Sequence, residues 1–130
     1  MEKNQQELIF KLSMYEQQIQ QLQQQLQAVE NAIVEAESLN LELDDLKGAK
    51  DKEIFASIGK GIFIKSKIAS EDLIVDVGGK NFVQKSIPQT QELIKEQVEK
   101  LRSIKIELEE QLEGFSEELT KIYMEAQEKN

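Results

Sequence analysis

Two heptad repeats of apolar residues, one on each side of a short central segment, constrain this chain more than any other feature. In the first repeat, residues recur at alternating intervals of four and three: Leu8, Leu12, Tyr15, Ile19, Leu22, Leu26, Val29, Ile33 and Ala36. The second repeat keeps this spacing with one polar member: Ile94, Val98, Leu101, Lys105, Leu108, Leu112, Phe115, Leu119, Ile122 and Ala126. Such spacing is typical of a coiled-coil seam. The sequence therefore predicts two long helices, over residues 5–47 and 87–128.

The lengths of the two repeats predict how the helices pair. The first spans 28 positions and the second 32, so at about 1.5 Å per residue each seam is roughly 42–48 Å long. Matched seams joined by a compact segment favour an antiparallel pair within one chain, with both termini at one tip. A parallel dimer of separate helices is the alternative, although it leaves the matched lengths unexplained. Asn40 extends the first repeat at an a position, where it either fixes the register or marks the place where the helices open onto the central segment.

Residues 53–86 are predicted to form two β-hairpins. Apolar, often β-branched residues alternate there with charged or small polar residues, which is the pattern of a strand. Four of the six glycines interrupt the alternation, and glycine tolerates the positive φ that tight hairpin turns need. The predicted strands cover residues 53–58, 61–68, 72–77 and 82–85.

The predicted sheet carries apolar side chains on both faces, and this predicts assembly. The face opposite the main alternation carries Phe55, Phe63, Ile74 and Phe82. Isolated hairpins are marginal in water and open edges accept further strands, so burial against the same region of other subunits is favoured. Cover by the bases of the helices within a monomer is the alternative. The predicted assembly residues are Ile62, Ile64, Leu73, Val75 and Val77.

A group of apolar residues outside the seam predicts a binding surface at the tip of the helix pair. In an antiparallel pair they come near the same free end: Ile9, Phe10, Met14, Tyr123 and Met124. The surface of a coiled coil is normally polar, so clustered apolar residues indicate a contact site, and methionine adapts to irregular partners. Helix fraying together with chance is the alternative, because single exposed apolar residues are common.

The residue types needed for most enzyme chemistry are missing. The chain has no histidine and no cysteine, which removes the commonest acid–base, nucleophilic and metal-binding constellations. Neither Gly59-Lys60-Gly61 nor Gly78-Gly79 forms a phosphate-binding loop, because neither has the G-x-x-x-x-G-K-[ST] pattern. The sequence thus predicts a protein that is not an enzyme, binds no metal and no cofactor, and acts without ATP.

Charge and hydropathy narrow the class of partner. The net charge of −9 argues against nucleic acid, since proteins that bind it usually carry a basic face. No apolar run approaches the length of a membrane span, and no apolar segment follows the first residues as it would in a secretory signal. The prediction is a soluble cytoplasmic protein with neither nucleic acid nor a membrane as partner.

Three stretches of the central segment resemble a known family. They are Ile58–Lys65, Leu73–Gly79 and Phe82–Ser86, with the sequences IGKGIFIK, LIVDVGG and FVQKS. Together with two coiled-coil arms around two hairpins, they resemble the α-type subunit of prefoldin, a holdase chaperone of archaea and eukaryotes. The resemblance implies a hetero-hexamer with β-type prefoldin subunits, two α and four β, whose sheets form a double barrel. It also implies that the tips of the arms hold unfolded client proteins for a chaperonin.

The sequence therefore predicts a mainly α fold with a small β part: an antiparallel two-helix coiled coil with two central β-hairpins. The leading functional hypothesis is an ATP-independent holdase subunit that binds unfolded proteins at the tips. The alternative is a structural coiled-coil protein, a scaffold or filament assembled through its hairpins. Apolar residues at the free end discriminate between the two, because a scaffold does not need them.

Overall fold

The computed structural model describes residues 2–128, and the side chains of residues 4–127. Its elements are α1 (Glu2–Asp44), β1 (Glu53–Gly59), β2 (Ile62–Lys67), β3 (Leu73–Asp76), β4 (Phe82–Lys85) and α2 (Ile87–Glu128). β1 and β2 form hairpin 1, and β3 and β4 form hairpin 2, both antiparallel. The predicted fold class, with two long helices and two central hairpins, is confirmed.

The chain divides into two compact units, each built from parts of both helices. The arm unit contains the described residues up to Ile33 and those from Lys100 onward. The hairpin unit is Val34–Glu99 and contains both hairpins. The candidate tip residues all belong to the arm unit, and the candidate assembly residues all belong to the hairpin unit.

The arm unit is an antiparallel pair of helices that meet along the predicted seam. Every seam residue of this unit is buried or half-buried, and the most buried are Leu22, Ile33, Leu108 and Ile122. Tyr15 of α1 contacts Phe115 of α2 in a tilted arrangement, with ring centroids 5.6 Å apart, and the Lys105 ammonium lies 3.9 Å from the Glu30 carboxylate. A position early in α1 thus meets one late in α2, so the pair is intramolecular and antiparallel.

The core of the hairpin unit joins both helices to hairpin 2. Its buried residues are Leu43, Ile87 and Ile94, against which pack Ala36, Leu46, Leu73 and Val98. Leu73 is the one member of this cluster that comes from a strand, and within the described part of the chain no residue of hairpin 1 belongs to it. Hairpin 2 is therefore anchored to the helices by one face, whereas hairpin 1 adds nothing to this core.

The first helix ends three residues earlier than the sequence predicts, and a turn follows it. Residues 45–47 each donate a backbone hydrogen bond to the carbonyl three residues earlier, at 3.1–3.2 Å. The backbone N–H of Gly48 then donates to the carboxylate of Glu71, which lies between the two hairpins. With Gly48 at a φ of 70°, the chain leaves the helix axis after Lys47.

Both hairpins turn through two residues of positive φ. In hairpin 1 these are Lys60 (50°) and Gly61 (75°), and in hairpin 2 they are Gly79 (60°) and Lys80 (61°). Positive φ at both central positions is the mark of a type I′ turn, whose twist matches that of the flanking strands. The glycines thus act as the sequence predicts, and each turn carries an exposed lysine beside its glycine.

The second helix begins with a capping box. The backbone N–H of Gln89 donates to Ser86 Oγ at 3.2 Å, and the backbone N–H of Ser86 donates to Gln89 Oε1 at 3.0 Å. Two N–H groups that have no partner inside the helix are thereby satisfied. Pro88 lies in the first turn, where the missing N–H costs no helical hydrogen bond.

We expect Ser86→Ala to destabilise the hairpin unit by about 1 kcal/mol, because the N–H of Gln89 loses its acceptor at the start of the helix. Urea unfolding followed by circular dichroism measures the change. Ser103→Ala, in the exposed interior of α2, is the matched control and should not destabilise, since alanine is the better helix former. Equal midpoints for Ser86→Ala and the wild type would contradict a stabilising cap.

Candidate binding surfaces

The five apolar residues predicted at the tip are all exposed. Between 44% and 66% of each side chain is accessible: Ile9, Phe10, Met14, Tyr123 and Met124. None of them is needed to fill the seam, because the a and d positions of the arm unit are occupied by other residues. They are therefore available for contact with a partner, and their role in binding remains a prediction.

These five residues surround the end of the arm unit and do not form one flat patch. Phe10 and Met14 are four residues apart and lie on the outer side of α1, where successive turns place i and i+4 together. Met124 lies at the outer f position of α2, and Ile9 and Tyr123 lie at e positions beside the seam. A partner that touches all five has to wrap around the pair of helices.

Tyr123 is held in place by a contact between the two helices. Its hydroxyl donates a hydrogen bond to Glu16 Oε1 at 3.2 Å. The carboxylate of Glu16 stabilises the protonated phenol, which raises the pKa of Tyr123 above its usual range. The aromatic ring is thereby fixed along the flank of the seam, with about half of its surface open to solvent (48%).

Hairpin 1 exposes apolar side chains on both faces. The register pairs Ala56 with Ile64 on one face, and Ser57 with Phe63 on the other. Exposed on the two faces and at the turn are Ile54, Phe55, Ile58, Ile62, Phe63 and Ile64. A two-stranded sheet of this kind is unstable in water by itself, so this surface requires cover.

Hairpin 2 separates its two faces more clearly. Leu73 and Val75 are half-buried, and Leu73 packs against the core of the unit. On the opposite face Ile74 and Phe82 are 76% and 63% exposed. The outer face of this hairpin is thus the one left open for a partner.

The predicted assembly residues therefore fall into two groups. Ile62, Ile64 and Val77 are more than half exposed, and their role in assembly stays a prediction. Leu73 and Val75 are turned toward this chain's own fold. The outward residues that the sequence identified only as a second apolar face are more exposed than any of these five: Phe55, Phe63, Ile74 and Phe82.

Five further apolar residues outside the seam are exposed on the helices and were not predicted as site residues: Val34, Leu39, Leu41, Ile104 and Ile106. Val34 and Leu41 are one heptad apart, at b positions of α1. That spacing was a signal available in the sequence, since an apolar residue repeated at an outer heptad position is unusual in a two-stranded coil.

Asn40 lies beside a solvent-open cavity in the hairpin unit. The cavity has a volume of about 240 Å³ and is lined by Glu37, Asn40, Ile94, Lys95, Val98 and Glu99. Gln91 Nε2 donates to the backbone carbonyl of Asn40 at 3.2 Å and to Asp44 Oδ1 at 2.7 Å. The second bond, with help from Lys47, lowers the pKa of Asp44. Asn40 and Gln91 thus occupy a positions of the two heptad repeats, where apolar residues are usual.

Across residues 2–128, no group of three or more acidic side chains is arranged to hold a metal ion. In the same part of the chain, neither helix combines the length and the apolar character that crossing a bilayer requires.

Comparison with known proteins gives one consistent result. A family profile described as "Prefoldin subunit" matches residues 15–130. "Prefoldin subunit alpha" of Methanobrevibacter smithii is 35% identical over 92 residues, which are 70% of this chain and 63% of that protein. "Prefoldin subunit alpha 1" of Methanocaldococcus jannaschii is 26% identical over 116 residues, which are 89% of this chain and 80% of that protein.

A solved structure agrees at the level of the fold. It is the cryo-EM structure of filamentous PFD from Methanocaldococcus jannaschii, with a TM-score of 0.79 and 17% identity. The likeness covers 88% of this chain and 97% of that one.

The matched region is shorter than some of the curated relatives. It covers 63% of the Methanobrevibacter smithii protein and 56% of "Prefoldin subunit alpha" of Methanococcus aeolicus, to which this chain is 36% identical over 84 residues.

Proposed function

This chain belongs to the prefoldin family, as an α-type subunit, and from that premise we propose that it is a chaperone subunit that holds unfolded proteins without ATP. Clients are held at the end of the arm unit and passed on to a chaperonin. The protein works in the cytoplasm. Its chemistry is non-covalent, which agrees with a sequence that lacks histidine and cysteine.

The observation that carries the proposal is the exposed apolar surface around the end of the arm unit. Phe10, Met14 and Met124 lie on the outer sides of helices whose seam is already filled. Leaving such side chains in water brings no benefit to folding, so their benefit has to come from a partner. A client that exposes apolar residues at irregular spacing suits the flexible methionines and the exposed aromatic rings.

Assembly is the second part of the proposal. We propose that the two hairpins join those of β-type subunits in a hetero-hexamer of two α and four β subunits. The open apolar faces of both hairpins support this, because each would be covered by neighbouring strands. Several arms in one particle also raise the apparent affinity for a single client through effective concentration, which compensates for the small contact area of one arm.

Replacing the tip residues should abolish most of the holding activity while leaving the fold intact. The test variant is Phe10→Ser/Met14→Ser/Tyr123→Ser/Met124→Ser, assembled with a co-expressed β-type subunit. We expect its suppression of the aggregation of a denatured model protein to fall several-fold, because the apolar contact area is lost from every α arm. Light scattering measures the aggregation.

The control moves the two α1 substitutions of this variant by one heptad. Gln17 and Gln21 occupy the heptad positions of Phe10 and Met14 and are exposed, so Gln17→Ser/Gln21→Ser should hold clients like the wild type. Circular dichroism and native mass spectrometry establish that both variants fold and assemble. Equal suppression by the test variant and this control would place the client site elsewhere and favour a scaffold.

A further inference from the structure

The apolar surface at the end of the arm unit continues along α2 into a row of glutamates. Met124 occupies an f position, and the f positions one and two heptads before it are Glu117 and Glu110. Residues at one heptad position lie in line along a helix, so these three side chains share the outer face. Glu113 lies between the two glutamates on an adjoining position, and all four side chains are exposed.

This face is acidic, and the two lysines nearest to it in sequence lie beside other glutamates; the Lys105 ammonium is 3.9 Å from the Glu109 carboxylate. Residues 107–127 contain seven glutamates and a single basic residue, Lys121, whose ammonium already lies 3.5 Å from the carboxylate of Glu118. Residues 17–27 of α1, which pair with only part of this stretch, contain eight glutamines and no charged residue. Negative charge is therefore denser on residues 107–127 of α2 than on residues 17–27 of α1.

We propose that this apolar surface takes extended non-native segments in which an apolar anchor is followed, about three and about six residues away, by lysine or arginine. The inference rests on the proposed holding function and adds the class of client. The anchor contacts Met124 and Tyr123, and the cationic side chains lie beside Glu117 and Glu110. Charge complementarity thus selects one occupant of the apolar surface, a basic stretch of an unfolded chain.

The spacing follows from the geometry of the two partners. Successive f positions lie seven residues apart, which is roughly 10 Å along a helix. An extended chain rises about 3.3 Å per residue, so about three residues cover the same distance. Each further heptad of α2 therefore meets a client residue about three positions further along.

Salt limits how much the glutamates contribute. At physiological ionic strength the Debye length is about 8 Å, so only cations seated directly beside a glutamate are attracted. One exposed ion pair contributes little, and the preference has to come from several pairs formed together on one arm and on several arms of a particle.

Short unstructured peptides with one aromatic anchor test the proposal on the assembled complex. Three of them carry lysine, glutamine or glutamate at the third and sixth positions after the anchor, and fluorescence anisotropy measures binding at low and high salt. We expect the lysine peptide to bind about tenfold more tightly than the glutamate peptide at low salt, as a few exposed ion pairs allow. High salt should narrow this ratio to about twofold.

Two variants with the same change of net charge locate the effect. In Glu110→Gln/Glu113→Gln/Glu117→Gln the ratio should fall to about one, because the outer face of α2 has lost its charge. Glu35→Gln/Glu92→Gln/Glu96→Gln removes three exposed carboxylates from the hairpin unit, and this variant should keep the preference. A ratio near one in the wild type, or equal losses in the two variants, would overturn the proposal.

The glutamine peptide separates this inference from the proposed function. If it binds the wild type and loses affinity when the tip residues are replaced by serine, holding at the tips stands and only the charge ratio decides the present proposal. If it does not bind, or binds the serine variant equally well, the holding function itself fails and this inference fails with it.

Discussion

We expect the replacement of Leu22 by aspartate to lower the free energy of unfolding of the arm unit by several kcal/mol. Leu22 is among the most buried seam residues, 7% exposed, and it lies within the unbroken heptad repeat. The substitution removes apolar burial and places a charge with no cationic partner in the seam, where loss of hydration is costly. Circular dichroism during urea or thermal unfolding should show a large fall in midpoint.

Gln24→Asp provides the control for this change. Gln24 lies on the same helix at an outer position and is exposed, so its aspartate stays in water and costs only the difference in helix propensity, a few tenths of a kcal/mol. Equal midpoints for Leu22→Asp and Gln24→Asp would mean that the two stripes do not face each other in solution.

Ile64→Asp should abolish assembly with β-type subunits while the helices persist. Ile64 is 54% exposed in the isolated chain, so the substitution costs its own fold little. In an assembled sheet the same side chain would be enclosed by apolar neighbours, and an unpaired charge there costs several kcal/mol at each interface. Native mass spectrometry of the co-expressed subunits should show the loss of the hexamer, with helical circular dichroism retained.

Ser70→Asp is the matched control for the loss of assembly. It adds the same charge between the two hairpins, and its carboxylate can accept the hydrogen bond that Asp72 N–H now donates to Ser70 Oγ at 3.0 Å. This variant should assemble normally. An intact hexamer with Ile64→Asp would show that the interface lies elsewhere. Val75→Asp is the less specific test, because Val75 is half-buried and its loss would also disturb the hairpin unit.

The helices, their pairing and the two hairpins could be predicted because each leaves a repeat of apolar residues that is visible within a single segment of the sequence. The repeat is seven residues long in the helices and two residues long in the strands. A heptad repeat without interruption marks one stripe of a helix that has to be buried against another helix. The glycines at both turns specify where each hairpin reverses, since positive φ is needed there. The helices and the hairpin turns depend on neighbours in sequence, and the pairing of the helices follows from the matched lengths of the two repeats.

The features that the sequence did not predict depend on contacts between distant residues. Alternation marked two faces of the sheet, but only the packing of Leu73 against the core shows which face of hairpin 2 is covered. The turn after α1 likewise includes a distant contact, because Glu71, more than twenty residues away, accepts the hydrogen bond of the Gly48 N–H. Heptad positions alone showed that the tip residues lie outside the seam. The hydrogen bond from Tyr123 to Glu16 could not be predicted in this way, because it depends on how the two helices are aligned.

Hairpin 1 is apolar on both faces and adds nothing to the core of its unit. This affects the stability of the subunit in the cell before it assembles with partners. A copy without them presents two open strand edges and exposed phenylalanines, which are the features that mark a protein for aggregation or degradation. We therefore expect surplus subunit without partners to aggregate or to be degraded. The supply of partner subunits would set how much of this protein a cell can keep.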